Sequence, residues 1–290
     1  MFKRNGFITL LLPLVSMLIV SMFFGCNSQI TRRKMMENKS NKEKAIAVLN
    51  SLQTRDMSVA LEYISGQAYI QHNLDAGDGR EGFLSLFEIP NVKFKVNIVR
   101  AFEDGDFVFT HTVYDFFGPK VGFDIFRFKD GKIVEHWDNL QEIVTETVSG
   151  RSQVNGPTEI KDPDKTEENK KLVERFVNDV LFGKNPEKIT DYISTEKYYQ
   201  HNPGVADGLD GLGNALKELA KAGMPMVYSK TYRILGEGTF VLTLSEGTFM
   251  KKHVAFFDLF RIEKSKIVEH WDTIEEIPAK ETWKNKNGKF

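Results

Sequence analysis

The chain has 290 residues, of which 41% are hydrophobic and 27% charged, and its formal net charge is −1. This is an ordinary globular composition, and the balanced charge gives no electrostatic reason to expect nucleic acid as a partner.

The first 25 residues are predicted to be a signal peptide. Lys3 and Arg4 give a positive start, and an apolar run from 7 to 24 follows. The run ends in Gly25-Cys26, which resembles the end of a bacterial lipoprotein signal, and Cys26 is the single cysteine of the chain. We therefore expect lipidation at Cys26 and a lipid-anchored protein of the bacterial cell envelope, folded outside the cytoplasm. An uncleaved membrane anchor is the alternative, because the run is about long enough to span a bilayer.

Two copies of one pattern follow a polar tether at residues 26–38. The hexapeptide IVEHWD occurs at Ile133–Asp138 and again at Ile267–Asp272, and Gln-His-Asn occurs at Gln71–Asn73 and Gln200–Asn202. The matches keep their order and nearly their spacing, which indicates duplication of a whole domain.

The predicted domains are 39–147 and 166–282, with a polar linker at 148–165 that contains Gly and Pro. Each repeat opens with apolar residues at helical spacing. A glycine-rich loop and strand-like runs rich in Phe, Val, Ile and Thr come next. Helices followed by antiparallel strands are typical of an α+β fold.

The order of helices, Gln-His-Asn segment, Asp-Gly loop and strands, ending in DIFRF…KIVEHWD or DLFRI…KIVEHWD, resembles the SnoaL-like branch of the NTF2-like superfamily. The resemblance implies two tandem cones, each a curved antiparallel sheet wrapped around N-terminal helices with a pocket at its open end. Such relatives include polyketide cyclases that perform an aldol condensation, isomerases, dehydratases and proteins that only bind, so fold alone carries no function.

The hairpin near the end of each repeat predicts which side chains face the pocket. A three-residue turn at 129–131 pairs Asp124 with His136, and strand alternation then puts both on one face with Asp138. A two-residue turn would instead place Asp124 opposite Trp137, so two registers stay open.

The gathered groups predict general acid/base chemistry, because neighbouring carboxylates raise a histidine pKa and apolar surroundings raise a carboxylate pKa. Such a pair can move a proton to or from carbon beside a carbonyl. The candidate catalytic residues are Asp124, His136, Asp138, Asp258, His270 and Asp272. The resemblance maps the relatives' acid/base to Asp138 and Asp272, whereas Asp124 and Asp258 stand where those relatives carry a histidine. Two alternatives are a purely structural His–Asp pair and a metal set that includes His72, which this fold seldom uses.

The repeated Gln-His-Asn segment supplies candidate ligand-binding residues at the expected pocket rim. They are Tyr69, His72, Asn73, Tyr198, His201 and Asn202. These groups could bind or polarise a substrate carbonyl. The alternative is a turn in which Asn73 or Asn202 caps backbone groups.

The opposite face of the hairpin carries Ile133 and Trp137, with Ile267 and Trp271 in the copy. An exposed stripe of this kind would exceed what a soluble domain tolerates. We therefore expect the two repeats to pack sheet against sheet as an intramolecular pseudo-dimer.

Two functions remain in competition. One is acid/base catalysis on a small apolar or carbonyl-containing molecule, of cyclase or isomerase type, without cofactor or metal. The other is a non-catalytic module that binds a ligand or supports another envelope protein. The helix after the glycine loop is shorter in the first repeat, at 83–88 against 212–222, which predicts a more open first pocket and favours the second repeat for catalysis.

Overall fold

The computed structural model describes residues 39–290. The predicted signal peptide, the tether and Cys26 lie outside the described residues. In the described part, no helix is long and apolar enough to cross a membrane. Residues 41–290 form one compact unit.

Two similar sets of elements make up this unit. The first set consists of α1 (Asn41–Thr54), α2 (Met57–Tyr63), β1 (Ile70–Gln71), α3 (Gly79–Leu84), β2 (Lys95–Asp104), β3 (Phe107–Asp115), β4 (Pro119–Lys129) and β5 (Lys132–Glu142). The second consists of α4 (Thr166–Phe176), α5 (Ile189–Tyr192), β6 (Tyr199–Gln200), α6 (Gly208–Lys221), β7 (Val227–Glu237), β8 (Phe240–Phe249), β9 (Lys252–Glu263) and β10 (Lys266–Glu276). A 3-10 turn at Ser85–Glu88 follows α3, and a π turn at Val177–Leu181 extends α4.

Each set forms one five-stranded sheet, with strand orders β1-β5-β4-β3-β2 and β6-β10-β9-β8-β7. The four long strands are antiparallel neighbours, whereas the two-residue strand runs parallel to the last one. This parallel pairing sets Gln71 beside His136 and Gln200 beside His270. The predicted α+β fold with two antiparallel sheets is confirmed.

The helices of each set cover one face of its sheet. In the second repeat, Leu172, Val173 and Phe176 recur at helical spacing on α4 and pack in a buried cluster with Phe260 and Ile267. Ile267 therefore lies on the helix-covered face. Its predicted position beside Trp271 in the contact between repeats is wrong.

The register of the hairpin explains this error. The turn has two residues, Asp130 and Gly131, both with positive φ. Next to the turn, the strand pairing shifts by one residue between Arg127 and Phe128, which marks a bulge. The bulge restores the alternation that a two-residue turn alone would reverse. Asp124 therefore shares a face with His136 and Asp138 as predicted, but its cross-strand partner is Asp138 and not His136.

The same bulge changes the face of the sheet on which Ile133 lies. It pairs with Phe128, which lies on the face of Asp124 and Phe126, so Ile133 turns toward the helices and away from Trp137.

The faces opposite the helices pack against each other. Trp137, Phe123, Trp271 and Phe257 are buried in one cluster that draws on both sheets. Arg100 of the first sheet lies 4.4 Å from the ring centroid of Trp271, and Arg233 of the second lies 4.4 Å from that of Trp137. These reciprocal contacts are consistent with the predicted intramolecular pseudo-dimer.

Two irregular segments complete the exchange between repeats. The linker arm, residues 143–156, follows β5 and lies on the second repeat, where His201 Nδ1 is 2.7 Å from Ser152 O. The tail arm, residues 277–290, follows β10 and lies on the first repeat, where His72 Nδ1 is 2.8 Å from Gly288 O. Each repeat is thus completed by the segment that follows the last strand of the other.

Candidate functional site

The second repeat brings its three candidate catalytic residues together. Asp258 on β9 and Asp272 on β10 are cross-strand partners, and His270 precedes Asp272 by two residues on the same face. His270 Nε2 lies 3.0 Å from Asp258 Oδ1, to which the Tyr228 hydroxyl also donates at 3.0 Å. Thr243 Oγ1 lies 3.5 Å from Asp258 Oδ2. Donors therefore surround the Asp258 carboxylate.

Gln200, which the sequence pattern did not single out, orients this histidine. Its Oε1 lies 2.8 Å from His270 Nδ1 and accepts from the backbone N–H groups of His201 and Asn202, both at 3.1 Å. Because two backbone donors fix this oxygen as an acceptor, His270 Nδ1 carries a hydrogen. His270 Nε2 is then the nitrogen that can exchange a proton with Asp258.

The surroundings favour the charged form of His270. Burial acts to lower the pKa of His270, but the hydrogen bond with Asp258 and the charges of Asp272 and Asp258 outweigh it and raise the pKa. Burial also raises the pKa of the Tyr228 hydroxyl well above its usual value, so this group stays a donor.

One carboxylate oxygen of Asp272 accepts a hydrogen bond, and the other has no partner among the described residues. Asn202 Nδ2 donates to Asp272 Oδ2 at 2.6 Å, whereas Oδ1 is buried and has no hydrogen-bond partner among the described residues. Burial is the main cause that raises the pKa of Asp272 to about 6, and the nearby charge of Asp258 acts in the same direction. A buried carboxylate with a free oxygen and a pKa near neutrality is suited to accept a proton.

A cavity of about 160 Å³ opens beside these groups. Its polar end is formed by Tyr198, Gln200, Asn202, Asp258, His270 and Asp272. Its apolar wall includes Phe176, Leu181, Leu212, Leu216, Leu219 and Met226. The amphipathic helix α6 has no fully buried residue and contributes three of these leucines, so it lies over the cavity as a lid with one face inside.

The first repeat contains the same polar arrangement. His136 Nε2 lies 3.3 Å from Asp124 Oδ1, and His136 Nδ1 lies 2.9 Å from Gln71 Oε1. The Tyr114 hydroxyl donates to Asp124 Oδ2 at 2.5 Å. As in the second repeat, an asparagine holds the second aspartate, because Asn73 Nδ2 donates to Asp138 Oδ2 at 2.6 Å.

The two sites differ in charge and in size. Lys289 of the tail arm contacts Glu275, and its Nζ lies 3.9 Å from Asp138 Oδ1, the oxygen that is free in Asp272. The first cavity measures about 610 Å³, because the short helix α3 stands where the second repeat has the 14-residue α6. The first cavity is larger than the second, as the shorter helix would allow, whereas the predicted greater openness is not seen.

The predicted role of His72 and His201 in ligand binding is not supported by their placement. Their rings stack on Trp137 and Trp271, with centroids 4.7 Å apart in each pair, on the face opposite the cavities. Their Nε2 atoms lie 3.0 and 2.9 Å from carboxylate oxygens of Glu135 and Glu269.

The other members of the segment stay near the sites. Asn73 lines the first cavity, and Tyr198 and Asn202 line the second. The Tyr69 hydroxyl is buried and lies 3.3 Å from Gln71 Nε2. In each copy the glutamine and not the histidine points to the acid/base residues, because alternation within the short strand turns neighbouring side chains to opposite faces.

The carboxylates and histidine of each site also lie close enough to suggest metal ligands. Ligand atoms of Asp124, His136 and Asp138 fall within 4.8 Å of one another, as do those of the second repeat. Both nitrogens of His136 have hydrogen-bond partners in this arrangement, Nδ1 in Gln71 Oε1 and Nε2 in Asp124 Oδ1. A metal set that includes His72 is not assembled. The hydrogen bonds of each histidine support proton transfer.

Known proteins resemble parts of this chain. Residues 45–136 match the family model of the SnoaL-like domain. No curated protein matches the chain. Among solved structures, wild-type IdmH of Streptomyces antibioticus, a candidate polyketide cyclase, is 21% identical over 36% of this chain and 93% of its own, with a TM-score of 0.30. An LEH-like epoxide hydrolase of M. tuberculosis is 22% identical over 35% and 82%, with a TM-score of 0.31. Each covers about one repeat, and each is a similarity of fold only.

Proposed function

We propose that the second repeat is a small-molecule acid/base site that removes and returns a proton at a carbon beside a carbonyl group. The observation that carries this proposal is the free Oδ1 of Asp272, a buried oxygen without a hydrogen-bond partner among the described residues, on a carboxylate that lines the cavity. Asn202 fixes the other oxygen, so the carboxylate is oriented before a substrate arrives.

The reaction needs no co-reactant. The C–H bond breaks, its proton goes to Asp272 Oδ1, and its electron pair moves to the carbonyl oxygen as an enolate. Tyr198 lines the same cavity, and its oxygen accepts from Gln200 Nε2 at 3.3 Å, so its own hydrogen remains to stabilise the enolate oxygen. Return of the proton to another carbon completes an isomerisation. In an aldol cyclisation the enolate carbon attacks a second carbonyl of the same molecule, the C–O π bond opens to an alkoxide, and that alkoxide takes the proton back from Asp272.

The triad of Asp258, His270 and Tyr228 supports this chemistry beside the base. A protonated His270 balances the charge of Asp258. Asp272 lies about 4–5 Å away, as expected for a cross-strand partner. This second carboxylate can therefore ionise at a moderate cost in free energy. Because the cavity is only about 160 Å³, it fits small carbonyl compounds while α6 is closed over it.

The experiment measures exchange of α-protons for deuterium in heavy water, by NMR, over a panel of small ketones, β-diketones and β-keto esters. This readout does not require the natural product to be known. We expect Asp272→Asn to abolish exchange and the matched first-repeat variant Asp138→Asn to retain it. Exchange that survives Asp272→Asn at the wild-type rate, in a protein with a normal unfolding transition, would contradict the proposal.

A second candidate function, ligand binding without turnover, is favoured by one feature of the first repeat. The ammonium of Lys289 lies near Asp138 Oδ1, so the oxygen that is free for catalysis in the second repeat faces a cation in the first. Binding alone would account for the whole chain if none of the panel compounds exchanges protons while some of them raise the melting temperature.

We also propose that the chain is held at the cell envelope through lipidated Cys26. The support is the signal-like sequence before the single cysteine. Two or more acyl chains would anchor it stably, at about 0.8 kcal/mol per buried CH₂. Cys26→Ala should release the protein from the membrane fraction. If that variant still sediments with membranes as the wild type does, the transmembrane alternative holds.

A further inference from the structure

Three lysines surround the cavity of the first repeat. Lys120 at the start of β4 and Lys284 of the tail arm line the cavity itself. Lys289, also of the tail arm, is buried at its base against Glu275 and Asp138. Within residues 39–290, neither Lys120 nor Lys284 forms an ion pair through its side chain, so two ammonium groups are available to a bound molecule.

The second repeat provides an internal reference for these positions. Its scaffold is the same, but Val254 stands at the position of Lys120, since both pair with the corresponding glutamate of the last strand, Glu276 and Glu142. The side chain that corresponds to Lys284 is Val148, because the backbone N–H of each donates to the carbonyl two residues after the shared histidine. Gln153 likewise corresponds to Lys289, each directly after the carbonyl that meets that histidine.

Negative charge differs between the cavities as well. The first cavity includes Glu275 and Asp75, where the second repeat has Gln141 and Gly204. Lys289 contacts Glu275, and Asp75 is exposed. The lining of the first cavity therefore gains two lysines and two carboxylates relative to the second, and Lys289 beneath it neutralises Glu275. Lys120 and Lys284 are left against the single exposed carboxylate of Asp75.

The rest of the first cavity is apolar and large. Its wall includes Leu49, Leu52, Phe83, Leu86, Phe94 and Phe116. A volume of about 610 Å³ lies in the range of sites that enclose an organic molecule of moderate size. The lining also includes four carboxylates, of which Asp124 faces His136, and Asp138 and Glu275 face Lys289. The two lysines without an ion-pair partner, set beside the aromatic wall, are the recognition chemistry of an amphiphile with an acidic head.

We propose that the first-repeat cavity is a binding site for an anionic amphiphile, with the head group at Lys120 and Lys284 and the apolar body against the phenylalanines. The tail arm is part of this site, because it contributes Lys284 to the lining and Lys289 to the base. The site is separate from the proposed acid/base centre of the second repeat and does not depend on catalysis there.

The test is isothermal titration calorimetry on a protein that comprises residues 39–290. It is titrated at neutral pH with three probes of one chain length: decanoate, decanol and decylamine. We expect decanoate to bind at least tenfold more tightly than decanol, and decylamine to bind most weakly. Decyl phosphate serves as a fourth probe that distinguishes a phosphate head from a carboxylate. Tighter binding of decyl phosphate would assign the site to phosphate-bearing lipids, still within the anionic class.

Matched double variants assign the preference to this cavity. Lys120→Gln with Lys284→Gln should remove the preference of decanoate over decanol and leave decanol binding unchanged. Lys184→Gln with Lys251→Gln removes the same charge from exposed positions of the second repeat and should leave the preference intact. Equal affinity for decanoate and decanol in the wild type, or equal loss of preference in both double variants, would overturn the proposal.

Asp272→Asn keeps failure of this proposal distinct from failure of the proposed catalysis. It should abolish proton exchange and leave the titration with decanoate unchanged.

Discussion

Asp258 and Asp272 are the same chemical group on neighbouring strands, yet their partners give them different tasks. Asp258 faces a histidine, a tyrosine hydroxyl and a threonine hydroxyl. Asp272 faces one asparagine and otherwise the cavity. The first carboxylate therefore holds its neighbours in place, and the second is free to exchange a proton.

The rate of proton exchange should depend on pH through Asp272. Because the base acts only when it is ionised and its pKa is about 6, we expect the rate to rise about tenfold per pH unit below that value and to level off above it. The measurement is the deuterium-exchange rate of one active ketone across the range. A rate that is flat through pH 6 would show that another group is the base.

The same pKa makes Asp272 unfavourable for stability at neutral pH. The folded-state pKa of about 6 lies above the ordinary value of 3.8, so the folded state binds the proton more tightly and stability falls as pH rises between the two values. We expect Asp272→Asn to raise the free energy of unfolding at pH 8 by roughly 1–3 kcal/mol. Urea titrations at pH 8 and near pH 4 should show that gain disappearing at the lower pH.

Gln200 should act on catalysis through His270. Gln200→Leu removes the acceptor that orients the imidazole, so we expect exchange to fall by at least tenfold and the pH profile to shift, while substrate affinity changes little. Gln71→Leu is the matched variant in the first repeat and should leave the rate unchanged. A purely structural role for Gln200 would lower the melting temperature of both variants without altering the pH profile.

At the scale of elements, the hairpin shows which structural features can be predicted from its sequence and which cannot. Alternation along β4 and β5 predicts that Asp124, His136 and Asp138 share one face. This holds because a two-residue turn followed by a one-residue bulge gives the same facing of side chains as the predicted three-residue turn. The bulge itself has no signature in the sequence, so the partner of Asp124 and the side of Ile133 could not be predicted.

The Gln-His-Asn segment shows a different limit. Its repetition marks it as important, but a strand of two residues has no periodicity from which to assign faces. Only the parallel pairing with the last strand shows that Gln71 and Gln200 turn toward the acid/base groups while His72 and His201 turn toward the tryptophans.

The tail arm should stabilise the first repeat through Lys289. Lys289→Met leaves Asp138 and Glu275 without their cation, and we expect a loss of about 3 kcal/mol, the low end for a buried pair because Glu275 is partly exposed. Gln153→Met in the linker arm is the matched variant, and it should cost about 1 kcal/mol for one lost hydrogen bond to Val144 N–H. Chemical denaturation measures both, and equal losses would contradict the ion-pair argument.

At the scale of the whole molecule, the two repeats are joined by a core that neither sheet could bury alone. The tryptophans that the repeated hexapeptide supplies lie at its centre, each under an arginine from the other repeat. Sheet packing could be predicted from the apolar stripe. The exchange of arms could not, because both arms are irregular segments without a periodic pattern, and the carbonyls that meet His72 and His201 carry no sequence signal.

Trp271→Ala should destabilise both repeats together. The ring is fully buried, so we expect a loss of about 3–5 kcal/mol in a single unfolding transition. Trp283→Ala in the tail arm removes a partly buried ring at the edge of the same core and should cost less. Two separate transitions in the Trp271→Ala protein would indicate that the repeats fold independently.

The tail arm also determines the order in which the two repeats can be completed during folding. When the chain emerges N-terminus first, from the ribosome or from an export channel, the first sheet can form while Asp138 still lacks Lys289 and His72 still lacks the carbonyl of Gly288. Those partners emerge only after the second sheet. The part of the described chain that emerges first is therefore the last to be finished, and a stop codon ahead of Lys284 would leave the first cavity without part of its lining while the second is already complete.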